Sequence, residues 1–193
     1  MEEFYSIQGE GYHTGNAAYF ARIGGCDVGC RWCDVKESWD ASKYPPVSTD
    51  LIISKAASFP AKAVVVTGGE PLLYNLDYLC QGLKSLGIKT FLETSGSSPL
   101  SGNWDWICLS PKRNAAPFNE ILNIASELKI IIEKSDDFSW AEENAVNVNK
   151  NCMLYLQPEW SVSRRMIPEI VDYIQRNPRW KISLQSHKYM RIP

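Results

Sequence analysis

Three cysteines, Cys26, Cys30 and Cys33, fall within one short run, Cys26-Asp27-Val28-Gly29-Cys30-Arg31-Trp32-Cys33. Three thiolates on one tight loop can each hold one iron of a cubic 4Fe–4S cluster. Such clusters normally take four cysteines, and no fourth lies nearby. The fourth iron would then stay open, able to bind and activate a substrate. Zinc, or a redox pair of thiols, is the competing use of the same residues. Zinc favours paired C-x2-C units. No second pair exists, and the two histidines, His13 and His187, are far away in sequence. Cys80, Cys108 and Cys152 stand singly in apolar stretches and read as small buried hydrophobes.

Two further segments could do chemistry. In Thr67-Gly68-Gly69-Glu70-Pro71 the glycines let backbone lie close to a ligand, and Glu70 can accept a hydrogen bond from an ammonium. A strand-to-helix turn would explain the glycines and the proline, but not Glu70. In Ser110-Pro111-Lys112 the lysine can pair with a carboxylate, although a lysine at such a point is commonly solvated. Trp32 offers an aromatic face beside the cysteines, and core packing would account for it equally well.

The elements that must position these residues alternate. Strands are expected at Ala17–Ile23, Ala63–Val66, Lys89–Glu93, Trp106–Leu109, Lys129–Ile132, Met153–Leu156 and Lys181–Leu184. Helical spacing marks Thr49–Phe59 (capped by Ser48 or Thr49), Asn75–Leu86 (closed by Gly87), Asn119–Leu128, Ser139–Ala145 and Ser163–Asn177. Pro168 should fall in the first turn of the last helix. Ser97–Asn103 reads as a loop without a helix. Such alternation implies a parallel sheet with outer helices. The polar and glycine-rich segments follow the strands, where parallel sheets and barrels place their sites. The chain has 193 residues, short for a full barrel of about 250. The expected fold is therefore α/β, a partial TIM-type barrel of about six parallel strands, as one domain over 1–193. The net charge of −2 gives no global pull toward nucleic acid or membrane. No apolar run reaches the ~18 residues of a membrane span. The start, Met1-Glu2-Glu3, lacks a signal-peptide pattern. A reducing cytosol, where a cluster survives, is the expected location.

The C-x3-C-x2-C spacing, with Trp32 before the last cysteine, and the Gly-Gly-Glu-Pro segment resemble the radical S-adenosylmethionine (SAM) superfamily. That resemblance implies that SAM binds the open iron and, on one-electron reduction, yields a 5′-deoxyadenosyl radical. Both chain ends narrow it. Phe4-Tyr5-Ser6-Ile7-Gln8-Gly9-Glu10-Gly11 and Gln185-Ser186-His187-Lys188-Tyr189-Met190-Arg191-Ile192-Pro193 are similar to the 7-carboxy-7-deazaguanine synthases, as are Phe20-Ala21-Arg22, Glu93-Thr94, Trp106 to Lys112, Glu127-Leu128-Lys129 and Gln157-Pro158. Those carbon–nitrogen lyases of queuosine and 7-deazapurine biosynthesis convert 6-carboxy-5,6,7,8-tetrahydropterin to 7-carboxy-7-deazaguanine, with loss of ammonia.

The resemblance implies site roles. Cys26, Cys30 and Cys33 would hold the cluster. Trp32, Asp34, Gly69, Glu70, Ser110, Pro111, Lys112 and Gln157 would bind SAM. Ile7, Gln8, Gly9, Glu10, Arg22, Thr67, His187 and the terminal carboxylate of Pro193 would bind the pterin. An arginine fork matches a carboxylate bidentately, which suits Arg22. Many members carry Cys-Asp-Thr where this chain has Cys33-Asp34-Val35, and that threonine binds a magnesium ion. Valine offers no oxygen to a hard cation, so the expectation is weakened magnesium dependence, or replacement by Asp34 or Ser38. The resemblance also implies a homodimer and an electron donor such as flavodoxin or ferredoxin. Trp39, Trp140 and Trp180 are candidate exposed contacts, with core packing the alternative. A glycyl-radical-enzyme activase shares both motifs and is the nearest rival; a non-catalytic metal-binding protein is a further one.

Overall fold

Runs of β-branched and other apolar residues bounded by glycine build the sheet. The computed structural model describes residues 1–193. Eight strands form one sheet: β1 (Glu2–Ile7), β2 (Ala17–Ile23), β3 (Ala63–Gly68), β4 (Lys89–Thr94), β5 (Trp106–Leu109), β6 (Glu127–Ile132), β7 (Met153–Pro158) and β8 (Trp180–Ile182). They lie side by side in sequence order. β1 pairs antiparallel with β2, and β2 to β8 run parallel. Six helices accompany them: α1 (Thr49–Ala57), α2 (Asp77–Ser85), α3 (Asn119–Ile124), α4 (Asp137–Ala145), α5 (Ser163–Arg176) and α6 (Ser186–Met190). Strands added in one direction by right-handed crossovers put their helices on one face. The sheet is thus singly wound, the topology of a barrel left open.

Alternation along each strand divides two faces. Val64, Val66, Leu92, Leu109, Leu128, Ile130 and Leu156 pack against Leu79, Leu83, Met166 and Ile170 of the helices, in the main core. The other face is concave. On β2 and β3 it is apolar, with Ala18, Phe20 and Val65 clustered against Phe4 and Phe91. Further round it turns polar, through Glu93, Glu127, Lys129 and Gln157.

A loop fills this concavity. The β1–β2 connection joins two neighbouring strands, yet it reaches elements across the sheet. Tyr12 stacks on Trp106 of β5 at 4.6 Å, and His13 on Phe91 of β4 at 4.3 Å. The Gly11 N–H donates to Ser183 Oγ just past β8 at 2.9 Å. The Ser186 N–H donates to the Gly9 carbonyl at 2.9 Å. The two sheet edges are bridged through this loop rather than by a strand pair.

Several expectations are corrected. The seven strands marked in the sequence are the seven parallel ones of the sheet, and one antiparallel strand joins them. β1 is the addition, stabilised by pairing with β2 that its own sequence does not announce. α3 stops at Ile124, so Glu127 and Leu128 belong to β6. Pro168 is the sixth residue of α5, not in its first turn, and lies on the exposed side where water can take the stranded Arg164 carbonyl. Ser48 stands at the α1 N-cap without a side-chain bond. Trp180 is core, 1% exposed, while Trp39, Trp140 and Cys152 are half-buried. The β4–β5 crossover carries no helix, as expected.

Gly68 ends β3 with a φ of +127°, and an added Cβ would stand 2.2 Å from the Ile23 carbonyl oxygen of β2. Gly68→Ala should lower unfolding stability by about 1–3 kcal/mol, measured by urea denaturation.

Candidate active site

The cysteine loop grows from the end of β2. Gly25, at φ +104°, turns the chain there. Its N–H donates to the Ser38 carbonyl at 2.6 Å, and the Cys26 N–H to the Trp39 carbonyl at 3.3 Å. The Cys33 N–H closes on the Cys30 carbonyl at 3.1 Å. The far end of the loop is thereby tied to its start, and the three sulfurs share one cavity wall. Beside them the ladder of β3 continues, with Gly69 N–H on the Ile23 carbonyl and Glu70 N–H on the Gly25 carbonyl, both at 2.9 Å. A Cβ on Gly69 would sit 2.0 Å from the Gly25 oxygen. The glycine pair therefore lets two backbones meet beneath the cysteines, besides any closeness to a ligand.

Glu70 is 1% exposed. One carboxylate oxygen accepts from Leu72 N–H (3.1 Å) and Thr94 Oγ1 (2.6 Å). The other accepts from Ser95 N–H (2.8 Å) and Ser95 Oγ (2.5 Å). All four lone-pair positions are taken. The carboxylate fastens the glycine turn to the end of β4.

The cavity, 290 Å³, opens at the C-terminal ends of the parallel strands. It is lined by Cys26, Cys30, Cys33, Trp32, Asp34, Gly69, Glu70, Ser110, Lys112 and Gln157, together with Ile7, Gln8, Gly9, Glu10, Arg22, Thr67, His187 and Pro193. Of the residues expected from sequence, only Pro111 is absent from the lining; it is buried. Arg22 and Thr67 are register partners on β2 and β3. Arg22 pairs with Glu2 and sits 5.3 Å over the Phe4 ring. Lys112 Nζ lies 5.5 Å from the Trp32 ring and donates to Ser110 Oγ at 2.7 Å. Burial draws the Lys112 pKa down, with the Cys30 thiol pulling the other way. Asp34 is held by Lys188 Nζ at 2.7 Å, which ties α6 to the cysteine loop. Ser38 Oγ donates to the Val35 carbonyl at 2.7 Å.

The floor is ionic. Lys129, 5% exposed, donates to Glu10 at 2.7 Å and to Glu93 at 2.8 Å. Gln8 Nε2 donates to Glu93 at 3.2 Å, and Gln185 Nε2 to Glu10 at 2.9 Å. Burial pushes the Glu10 carboxyl upward, but Lys129 and the two glutamines Gln185 and Gln157 overcome it and hold the pKa at about 2. The contribution of Glu10 to stability is whole above the ordinary 4.5 and fades as pH falls toward about 2. Gln157 also accepts from Ser183 Oγ at 2.6 Å, so it belongs to this floor. Glu93, Lys129 and Gln185 were not among the residues expected from sequence. Glu127 and Lys129 alternate with Leu128 and Ile130, a period of two that marks a polar strand face, but one easily absorbed into a helix end.

Residues 21–132 match the model of the radical SAM superfamily. A 7-carboxy-7-deazaguanine synthase from Flavobacterium psychrophilum is 58% identical over 193 residues, covering 100% of this chain and 91% of that protein. One from Synechocystis sp. is 44% identical, covering 99% and 91%. The chain belongs to the 7-carboxy-7-deazaguanine synthase family of the radical SAM superfamily. The crystal structure of QueE from Escherichia coli superposes with a TM-score of 0.80 at 30% identity, covering 96% of this chain and 92% of that one.

Membership in the superfamily implies a 4Fe–4S cluster and SAM. The donor set fits. The three thiols face one cavity but do not converge on a point that a single ion could occupy, and a cubane gives each thiolate its own iron. Burial pushes the Cys26 and Cys30 thiols above their ordinary pKa, so metal binding must displace their protons. Cys108 and Cys80 are buried and also shifted up by burial, Cys80 to about 11.

Removing the lysine at the floor leaves two carboxylates facing one another without a counter-charge. Lys129→Met should cost about 3–5 kcal/mol of stability, read from anaerobic urea unfolding.

Proposed function

We propose that the chain, as one domain over residues 1–193, converts 6-carboxy-5,6,7,8-tetrahydropterin to 7-carboxy-7-deazaguanine, releasing ammonia, in queuosine and 7-deazapurine biosynthesis. The observation that carries this reading is a single cavity with the cysteine loop on one wall and a polarised pocket on another. A cluster with SAM supplies, when bound, a 5′-deoxyadenosyl radical that removes a hydrogen atom from the substrate. The protein's own residues would bind, orient and enclose.

The pocket's charge pattern suits a ligand with one carboxylate and one guanidine-like edge. Arg22, with Thr67 beside it, would take the carboxylate through its two-pronged fork. Glu10, Glu93 and Gln8 would take the N–H-rich edge, because ionised carboxylates only accept. His187 would add a polar contact from α6. The apolar patch of Phe20 and Val65 can cover a flat ring. On the SAM side, Trp32, Asp34, Gly69, Glu70, Ser110, Pro111, Lys112 and Gln157 would be the contacts, with Glu70 also anchoring the turn that carries Gly69. The Lys188–Asp34 pair would keep α6 over the site and water out. A protein glycine, the substrate of an activase, needs no such small charged pocket.

The same proposal includes a cytosolic homodimer reduced by a flavodoxin- or ferredoxin-type donor. It also includes a magnesium site weakened by Val35, with the Asp34 carboxylate engaged by Lys188 and Ser38 engaged by Val35.

The deciding assay incubates anaerobically reconstituted enzyme with the carboxylated tetrahydropterin, SAM and a reductant. The deazaguanine product is expected, and its absence alongside active SAM cleavage would sink the reading. Arg22→Gln should raise the pterin KM by about tenfold or more, the loss of a charge-assisted hydrogen bond, with SAM cleavage retained. Val35→Thr should respond to magnesium more strongly than the natural chain, as read from turnover across a magnesium titration; equal responses would count against a weakened site.

A further inference from the structure

We infer that Glu127 is a positioning residue for the substrate pocket: from inside the barrel its carboxylate clasps the backbone at Gly11–Tyr12 and so holds Gln8, Gly9 and Glu10 in the cavity. The identity of the ligand rests on the function proposed above; the clasp itself does not.

Glu127 lies on β6 two residues before Lys129, on the same concave face and roughly 7 Å deeper. It is 2% exposed and outside the cavity lining. One of its oxygens accepts from the Tyr12 N–H at 2.9 Å and from the Trp106 indole N–H at 3.1 Å. The loop backbone is pressed onto the other: Gly11 has a φ of +64°, and a Cβ there would stand 2.2 Å from that oxygen. Gly11 and Tyr12 are thus held by consecutive amides, the first on Ser183 and the second on Glu127.

The loop's own bonds are short-range. Gln8 N–H on the Asn16 carbonyl and Gly15 N–H on the Gln8 carbonyl close its stem, Thr14 N–H and Oγ1 reach the Gly11 carbonyl, Asn16 N–H the His13 carbonyl and Glu10 N–H the Gln8 side chain. Thr14, Gly15 and Asn16 are exposed. Ordering each residue costs about 1–2 kcal/mol, so losing the Glu127 contact would loosen the loop from Gly11 onward and weaken the hold on Gln8–Glu10 that Lys129, Glu93, Gln185 and Ser186 share. Burial and the nearby Glu93 raise the Glu127 pKa, so a neutral isostere that keeps the accepting oxygen can do the same work.

The test compares Glu127→Ala and Glu127→Gln in the reconstituted enzyme. The alanine variant should raise the pterin KM about tenfold while kcat, iron content and substrate-independent SAM cleavage hold. It should also speed chymotrypsin cleavage after Tyr12. The glutamine variant should restore both readouts. An unchanged KM and cleavage rate in Glu127→Ala overturns the inference. So does a parallel fall of KM performance, iron content and SAM cleavage, which would mark a general structural role. Should Glu127→Ala not fold, Gly11→Ala strikes the same contact from the loop side, and an unchanged KM there overturns it equally. The proteolysis needs no substrate, so a natural enzyme inert toward the pterin would count against the function and leave the clasp to be judged on the cleavage pattern.

Discussion

A single buried ammonium ties the inside of this barrel together. Lys129 joins β6 to β4 through Glu93 and to the β1–β2 loop through Glu10. Burial alone would lower its pKa, yet the surrounding acidic groups drive it well above the ordinary value. A buried pair of this kind adds little net stability over an apolar one, but removing one partner is severe. Its worth lies in specificity. The placement of the loop that satisfies the lysine is the one that puts Gln8–Glu10 into the cavity.

The open barrel needs such a device. Its strand order leaves β1 and β8 as unjoined edges. A closed barrel fills its centre with layers of side chains from its own strands. Here the centre is filled partly by a connecting loop, stacked on Phe91 and Trp106 and bonded to β6 and the end of β8. Closure and cavity wall are thereby the same structure. The α6 segment completes it from the other edge, through Ser186 on Gly9 and Lys188 on Asp34.

The cysteine wall follows a different logic. Its order comes from backbone, with glycines letting the ends of β2 and β3 pass within van der Waals contact. Glu70 is a motif residue with a structural task of its own. Its four accepted hydrogen bonds fix the turn on which Gly69 sits. The polar residues of this half all lie at strand ends, where side chains leave the packed sheet and can face a ligand.

Local signals carried much of this. The cysteine spacing, the Gly-Gly-Glu-Pro turn and the alternation of apolar runs depend on neighbours a few residues apart, so the parallel fold and the cluster loop were legible in the chain. β1, the true start of β6 and the loop's path were not. Each depends on pairing across the sheet, as Tyr12 does with Trp106, or Glu10 with Lys129 more than a hundred positions later. Residue types by themselves determined that a three-thiolate site sits at the end of a parallel sheet. Only tertiary structure decided which partners each buried carboxylate meets. Charge balance in a buried space is a property of that space, and no stretch of sequence encloses it.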